Sequence, residues 1–406
     1  MQSAEVVSTG QVVLDTLARF WPVWLCIAVM IGGGWPIRDR LGTFGRLYGS
    51  RIGIVGLVIV LFWALTALFA TFIAPYGPRE VPSDLMAIMS LKKGPPGVVN
   101  PADAVVWLWG GDNNARDIFS RVVWGAQIVM IIAPAATLIA YMVGSTLGLP
   151  AGYYRGFTDT VTSFLANMIL AFPVILLFYL LVTPEVREPR PLDLGLVTIP
   201  WSIPIIMAGV FFLFPIIFLC TMWFTKYESN RVKVSTYLVV TLVLGAWAYV
   251  GLVFNNDPFG VLSLDANELN IFAAVVFASS PGVFRIVRGL TMDIKTRDYV
   301  AAAQTRGERP WYIMLWEILP NARGPLIVDA CLRIGYTTIL LGTLGFFGLG
   351  LAPESPDWGS MINHGRPFVR LAETAHLALF PAVALMSLVL GLNLLADGMR
   401  EESLKD

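Results

Sequence analysis

The chain has 406 residues, 56% of them hydrophobic and only 14% charged, with a net charge of zero. That composition cannot cover a water-facing surface, so a soluble globular protein is excluded and a polytopic membrane protein remains. The charge balance argues against a nucleic-acid partner. The three cysteines, Cys26, Cys220 and Cys331, lie in apolar runs as small hydrophobes and imply no disulfide framework.

Crossing ~30 Å of hydrocarbon at 1.5 Å per residue takes roughly 20 apolar residues. The gaps between charges predict nine spans: Phe20 to Ile37, Ile52 to Ile73, Val122 to Tyr154, Val161 to Thr183, Val197 to Phe224, Val234 to Phe254, Leu269 to Leu290, Leu326 to Leu351, and Thr374 to Ala396. The first is short. It lacks a basic leader and a small-residue cleavage site, so it does not read as a cleaved signal peptide. The 13 tryptophans suit interfacial belts.

Orientation follows from Lys and Arg. With the segment Asp298 to Asn321 inside, 17 of the 28 basic residues fall inside and 10 outside, Arg333 staying within a span, and the C-terminus lies inside. Lys226, Arg231 and Lys233 place the loop Thr225 to Ser235 inside, whereas Asn255 to Glu268 is acidic and outside. The two spans around that loop form a hairpin that leaves the surrounding topology unchanged. It reads either as a lipid-facing addition or as a docking surface.

Between two spans, the 24 residues Asp298 to Asn321 predict two short helices around Gly307. Gly307 can take the left-handed position after a helix, and Pro310 suits the first turn of the next. Trp311, Met314, Leu315 and Ile318 recur at i, i+3, i+4 and i+7, so an apolar ridge is predicted to face another protein.

Three separated stretches resemble the C-type permease subunit of dipeptide, oligopeptide and nickel ABC importers. Gly110-Gly-Asp-Asn-Asn-Ala-Arg-Asp-Ile-Phe-Ser-Arg121 is similar to the family's Gly-Thr-Asp-x-x-Gly-Arg-Asp-x-x-Ser-Arg lead-in to the core. The segment Asp298 to Asn321 is similar to the permease "EAA" loop, which ends in Leu-Pro-Asn. The third stretch runs from Gly345-Phe-Phe-Gly-Leu-Gly350 through Ser355-Pro-Asp-Trp-Gly359 to Asn393-Leu-Leu-Ala-Asp-Gly-Met-Arg400. Ala301 stands where the EAA signature has glutamate, Glu317 where this subfamily often has histidine, and Leu341 where relatives commonly carry glutamate.

The resemblance implies an all-α, type I ABC importer permease core of about six helices, with an inserted two-helix hairpin at about 194–256 and a candidate extra N-terminal helix. Residues 1–51 are then an N-terminal extension, 52–121 the first core helix with a long extracytoplasmic loop, and 122–406 the permease core. The implied partners are a sister permease, two cytoplasmic P-loop ATPases and an extracytoplasmic substrate-binding protein, all around a chain embedded in the lipid bilayer of a prokaryotic inner membrane. The chain carries no Gly-x-x-x-x-Gly-Lys-Ser/Thr loop, so ATP and Mg belong to the partners and this subunit is not itself an enzyme.

The coupling-loop residues are then Asp298, Tyr299, Ala302, Ala303, Gly307, Trp311, Met314, Leu315, Ile318, Leu319, Pro320 and Asn321. Phe346, Phe347 and Trp358 are the candidates to border the translocation path. Peptides are the expected cargo by resemblance.

Other residues read plainly. Asp329 and Arg333, four apart, suit an ion pair on one helix face. His364 and His376 lack the carboxylate or cysteine spacing of a zinc site. Arg116 and Asp117 suit the pinning of a short outer helix. A secondary transporter or channel would show intramembrane acids or inverted repeats, and a scaffold would need no coupling loop.

Overall fold

Prolines and glycines decide where this apolar chain stops being helical. The computed structural model describes residues 6–36, 38, 45, 47–182, 190–193, 198–228, 230–254, 266–349, 351 and 354–403. Residues 255–265 of the acidic segment, with Arg40, Arg46, Arg187, Gly350 and Lys405, lie outside the described residues.

Among the described residues the architecture is all-α apart from two small antiparallel ribbons, Val98–Val99 with Val106–Trp107 and Arg190–Asp193 with Thr198–Trp201. Among the described residues, seven helices are long and apolar enough to cross a membrane: Arg51–Leu68, Ile118–Tyr154, Ile205–Lys226, Arg231–Phe254, Glu268–Ile294, Arg323–Phe346 and His376–Glu401. Two bent pairs bring the count to nine if each is one span.

The predicted span at Phe20 to Ile37 is a 14-residue helix, Trp21–Gly34, set at 53° to Thr9–Arg19. At 1.5 Å per residue it is about 21 Å long, too short to cross alone. The span predicted from Val161 to Thr183 is broken into Phe157–Ala171 and Val174–Val182 with a bend of 78°. The cause is Pro173, which disfavours helical backbone at the residue before it, and Phe172 is extended at ψ 128°. Residues 198–201, predicted to begin a span, form a strand instead. Pro200 holds the chain extended until Ser202 caps the helix Ile203–Lys226 by accepting the Ile205 N–H at 3.3 Å.

The chain divides into two compact units, residues 1–134 with 331–406, and residues 135–330. In the first, Arg51–Leu68 packs along His376–Ser403 with almost no space between backbones. A Cβ at Gly56 would lie 2.3 Å from Leu395 N, and one at Gly398 2.3 Å from Gly53 Cα. Ser50 Oγ donates to Glu401 at 2.8 Å and Trp63 Nε1 to Ser387 Oγ at 2.9 Å along the same seam.

The second unit uses the same device. Gly144, Gly148 and Gly152 form a small-residue stripe at four-residue spacing, and added Cβ atoms would meet Val283, Phe284 O and Arg288 O at 2.6–3.0 Å. Close backbone approach of this kind replaces the hydrophobic drive that lipid removes. Ile203–Lys226 packs on both Arg231–Phe254 and Ala266–Ile294, with Phe212 stacked on Phe272 at 5.6 Å and 10°. The first helix of the predicted hairpin therefore spends one face on its own chain, while Ile206, Val210, Leu213, Ile217 and Phe224 stay exposed on the rest of it.

Candidate functional site

The segment Asp298 to Asn321 folds as two helical pieces around Gly307, the first being Asp298–Thr305. Gly307 takes φ +82°, its N–H bonds Gln304 O at 3.0 Å and the Glu308 N–H bonds Ala303 O at 3.2 Å. Those two bonds form a Schellman closure, and the positive φ is the reason glycine stands there. Arg306 bridges to Glu317 at 3.2 Å across the turn.

The second piece begins at Pro310, as predicted, and is not a plain α-helix. Pro320 has no N–H for the carbonyl of Trp316, so the α register cannot close there. Ile313–Ile318 takes the wider π form, and the Leu319 N–H reaches Met314 O five residues back.

The ridge does not face outward. Ile313, Met314, Leu315 and Ile318 are buried in a cluster with Leu149, Tyr153, Val283, Val287, Val300, Ala303 and Leu326, and Trp311 packs partly buried against it. The helices flanking the loop bring apolar surface of the same chain to the ridge, which is consumed there before any partner can reach it. Burying such side chains contributes about 1.5–3 kcal/mol each where water is excluded, so the loop is fixed firmly to its unit. Lys295 Nζ donates to Tyr153 O, and Gln304 Nε2 to the Tyr153 hydroxyl at 3.2 Å. The face left exposed carries Asp298, Tyr299, Ala301, Ala302, Thr305, Arg306 and Gly307, with Pro320 and Asn321 also exposed and Leu319 half-buried.

The three path candidates separate. Phe347 is 59% exposed and Phe346 partly so, their rings 5.6 Å apart with Arg366 over Phe346. Trp358 is 1% exposed. Its ring meets Trp63 edge-on at 4.9 Å, its Nε1 donates to Val122 O at 3.0 Å, and a Cβ at Gly125 would lie 2.5 Å from that nitrogen. Trp358 is thus a core residue walled in by its own unit and borders no open path. A large ring with one donor suits such a pocket.

The lead-in motif is a polar knot. Arg116 Nε donates to Asp112 Oδ2 at 2.7 Å, and Arg121 reaches Pro78 O at 2.9 Å and Ser355 O at 3.0 Å. Asp117 Oδ2 accepts from Ser120 N at 2.9 Å and Ser120 Oγ at 2.6 Å, capping the long helix Ile118–Tyr154. Burial pushes the Asp117 carboxyl up to about 6, against the opposing pull of the Ser120 hydrogen bonds. Beside the motif lies a cavity of about 210 Å³ lined by Asn113, Arg116, Arg121, Met361 and His364 among others. Among the described residues, no cluster of three or more His, Cys, Asp or Glu could hold a metal ion.

Sequence reasoning missed Tyr141, whose hydroxyl donates to Asp329, and Thr225 and Glu228, which contact the loop from the end of a distant helix and the turn just beyond it. No spacing signals those pairs. The glycine stripe at 144, 148 and 152 was available as a four-residue repeat.

Membrane-length helices, together with a helix-turn-helix fixed to its own unit by the buried ridge, are what a transport permease requires. The chain matches the binding-protein-dependent transport system inner membrane component family over residues 144–401, and the N-terminal TM domain of oligopeptide transport permease C over residues 42–95. It belongs to the binding-protein-dependent transport system inner membrane component family, and it is a multi-pass inner-membrane permease subunit of an ABC-type importer that works with other subunits of that system.

The chain is 28% identical to the glutathione transport system permease protein GsiD of Pectobacterium atrosepticum, over 88% of this chain and 87% of the relative. It is 27% identical to the dipeptide transport system permease protein DppC of Haemophilus influenzae, over 87% of this chain and 90% of the relative. It is 26% identical to the probable D,D-dipeptide transport system permease protein DdpC of Escherichia coli, over 87% and 88%.

Proposed function

We propose that this chain forms one half of a translocation pathway for peptides or similar small solutes and receives ATP-driven motion through the loop Asp298–Asn321. A sister permease forms the other half, two cytoplasmic P-loop ATPases grip the coupling loops, and an extracytoplasmic binding protein delivers cargo. This subunit is non-catalytic and binds no cofactor; ATP and Mg belong to the ATPases. The loop and the C-terminus lie in the cytoplasm, as the distribution of Lys and Arg favours.

The observation that carries the reading is the division of the loop into a buried ridge and an exposed small-residue face. The ridge ties the loop to the membrane helices, while Tyr299, Ala302 and Gly307 leave a surface that a partner groove can approach closely. Coupling requires that the loop bind two ATPase states with different free energy, after which the permeases rock as rigid bodies. Peptide cargo is supported by the names of the relatives, which specify dipeptides, D,D-dipeptides and glutathione, itself a tripeptide.

The test is Gly307→Val in the complex purified gently from its own membrane. Nothing crowds the position, so only backbone strain acts, of order 1–3 kcal/mol. ATP-driven uptake should fall about ten-fold and co-purifying ATPase should be reduced. Normal uptake in the variant, or a wild-type chain that recovers neither an ATPase nor a second permease, defeats the reading.

A further inference from the structure

The helix hairpin Ile203–Lys226 and Arg231–Phe254 reaches the loop at one end. Thr225 is 8% exposed; its Oγ1 donates back to Thr221 O at 2.9 Å and accepts the Trp316 Nε1–H at 3.1 Å. The hydroxyl's one donor is thus in use, and one of its two acceptor lone pairs is taken by the indole. Lys226 Nζ stands 4.8 Å from the centroid of the same indole, a cation–π distance. Beyond the helix end, Glu228 pairs with Arg309 at 2.6 Å, just before the second piece of the loop. Phe218 and Met222, further up the same helix, pack against the cluster that buries the ridge. Where Phe218 and Thr221 meet Trp311 and Leu315, the residual gap is only about 10 Å³, too little to loosen the contact.

These contacts fall on Trp316, within the π-helical run. A π turn is less favourable than an α turn in isolation and persists where surroundings hold it. The core holds Ile313, Met314, Leu315 and Ile318 from one side, and the hairpin holds Trp316 from another. The hairpin is itself anchored by the Phe212–Phe272 stack, and its two helices close on each other at Gly209, where a Cβ would lie 2.9 Å from the Tyr249 hydroxyl.

We infer that the hairpin is a brace that sets the position of the loop piece Pro310–Asn321, with Thr225 and Glu228 as positioning residues acting through Trp316 and Arg309. The inference rests on the proposed role of the loop as the ATPase-coupling element, and it assigns the hairpin to energy coupling rather than to the solute path.

The experiment uses the intact complex reconstituted in sealed lipid vesicles and compares wild type with Thr225→Val, Thr225→Ser and the double variant Thr225→Val, Glu228→Gln. Two quantities are read: amide exchange over residues 310–321, and solute moved per ATP hydrolysed. Loss of the buried acceptor should speed exchange in that segment about five-fold. It should also lower solute moved per ATP while the rate of ATP hydrolysis stays near wild type. Thr225→Ser, which keeps the hydroxyl, should restore both.

Wild-type exchange in the double variant overturns the brace. Faster exchange with unchanged solute per ATP also overturns it, provided Gly307→Val has lost transport in the same preparation. If Gly307→Val transports normally, the coupling reading itself has failed, and the brace falls with it for that separate reason.

Discussion

At the scale of single residues, Gly307 and Trp358 mark the two ends of what sequence can say. The reversal at Gly307 was legible because only backbone chemistry is involved, and φ +82° is what a glycine between a small-residue helix and a proline-started helix leads one to expect. Trp358 was not legible, because its place depends on Trp63, Val122 and Gly125, all more than two hundred residues away along the chain. Trp358→Ala should cost about 3–5 kcal/mol of stability and lower the melting temperature of the purified protein. Phe347→Ala should leave melting unchanged and reduce uptake if that ring borders the path. Unchanged melting in the Trp358 variant would speak against the core assignment.

Asp117 supplies a residue-scale test through pH. Its folded value of about 6 lies above the ordinary carboxyl value of 3.8, so the native state binds the extra proton. The resulting stabilisation is full below pH 3.8 and is lost as pH rises through 6. Asp117→Asn keeps a capping oxygen without the buried charge and should flatten that part of the pH profile. Asp117→Ala should instead lose about 1 kcal/mol of capping at all pH values. A profile in Asp117→Asn that matches wild type assigns the titration elsewhere.

At the scale of elements, apolar length located the helices well, while breaks and partners escaped it. The long helices were visible as apolar runs that few charges interrupt. Hydropathy alone does not register Pro173, which splits one predicted span by 78°, nor Pro200, which turns the start of another into a strand. The loop's ridge was correctly placed on one face, yet its partner was misassigned. Periodicity says that a face will be buried and is silent about what buries it.

The stripe Gly144, Gly148 and Gly152 is the element whose role can be tested most directly. Gly148→Leu has to push Phe284 and Val287 aside, since even a Cβ would lie 3.0 Å from Phe284 O. Overpacking there should cost roughly 1–3 kcal/mol, seen as lower folded yield and earlier thermal aggregation, whereas Gly289→Ala, in open space on the partner helix, should behave as wild type.

At the scale of the whole molecule, the class of protein was fixed by composition and its family by three ordered motifs, whereas the interior wiring came only from the structure. The helix Ile118–Tyr154 runs 37 residues without a break. At 1.5 Å per residue that is about 55 Å, against ~30 Å of hydrocarbon, so a large part of it stands clear of the acyl chains or is strongly tilted. Its last turn is where Tyr153 receives Lys295 and Gln304, so the loop hangs from a mast rather than from the lipid surface. Its height is set by the hydrogen-bonded rise of the helix, and acyl-chain length has little leverage on it. Reconstitution in lipids of graded chain length should therefore shift the tilt of the shorter spans while leaving solute moved per ATP nearly constant. A steep dependence of that ratio on bilayer thickness would show instead that the membrane, and not the mast, holds the loop in place.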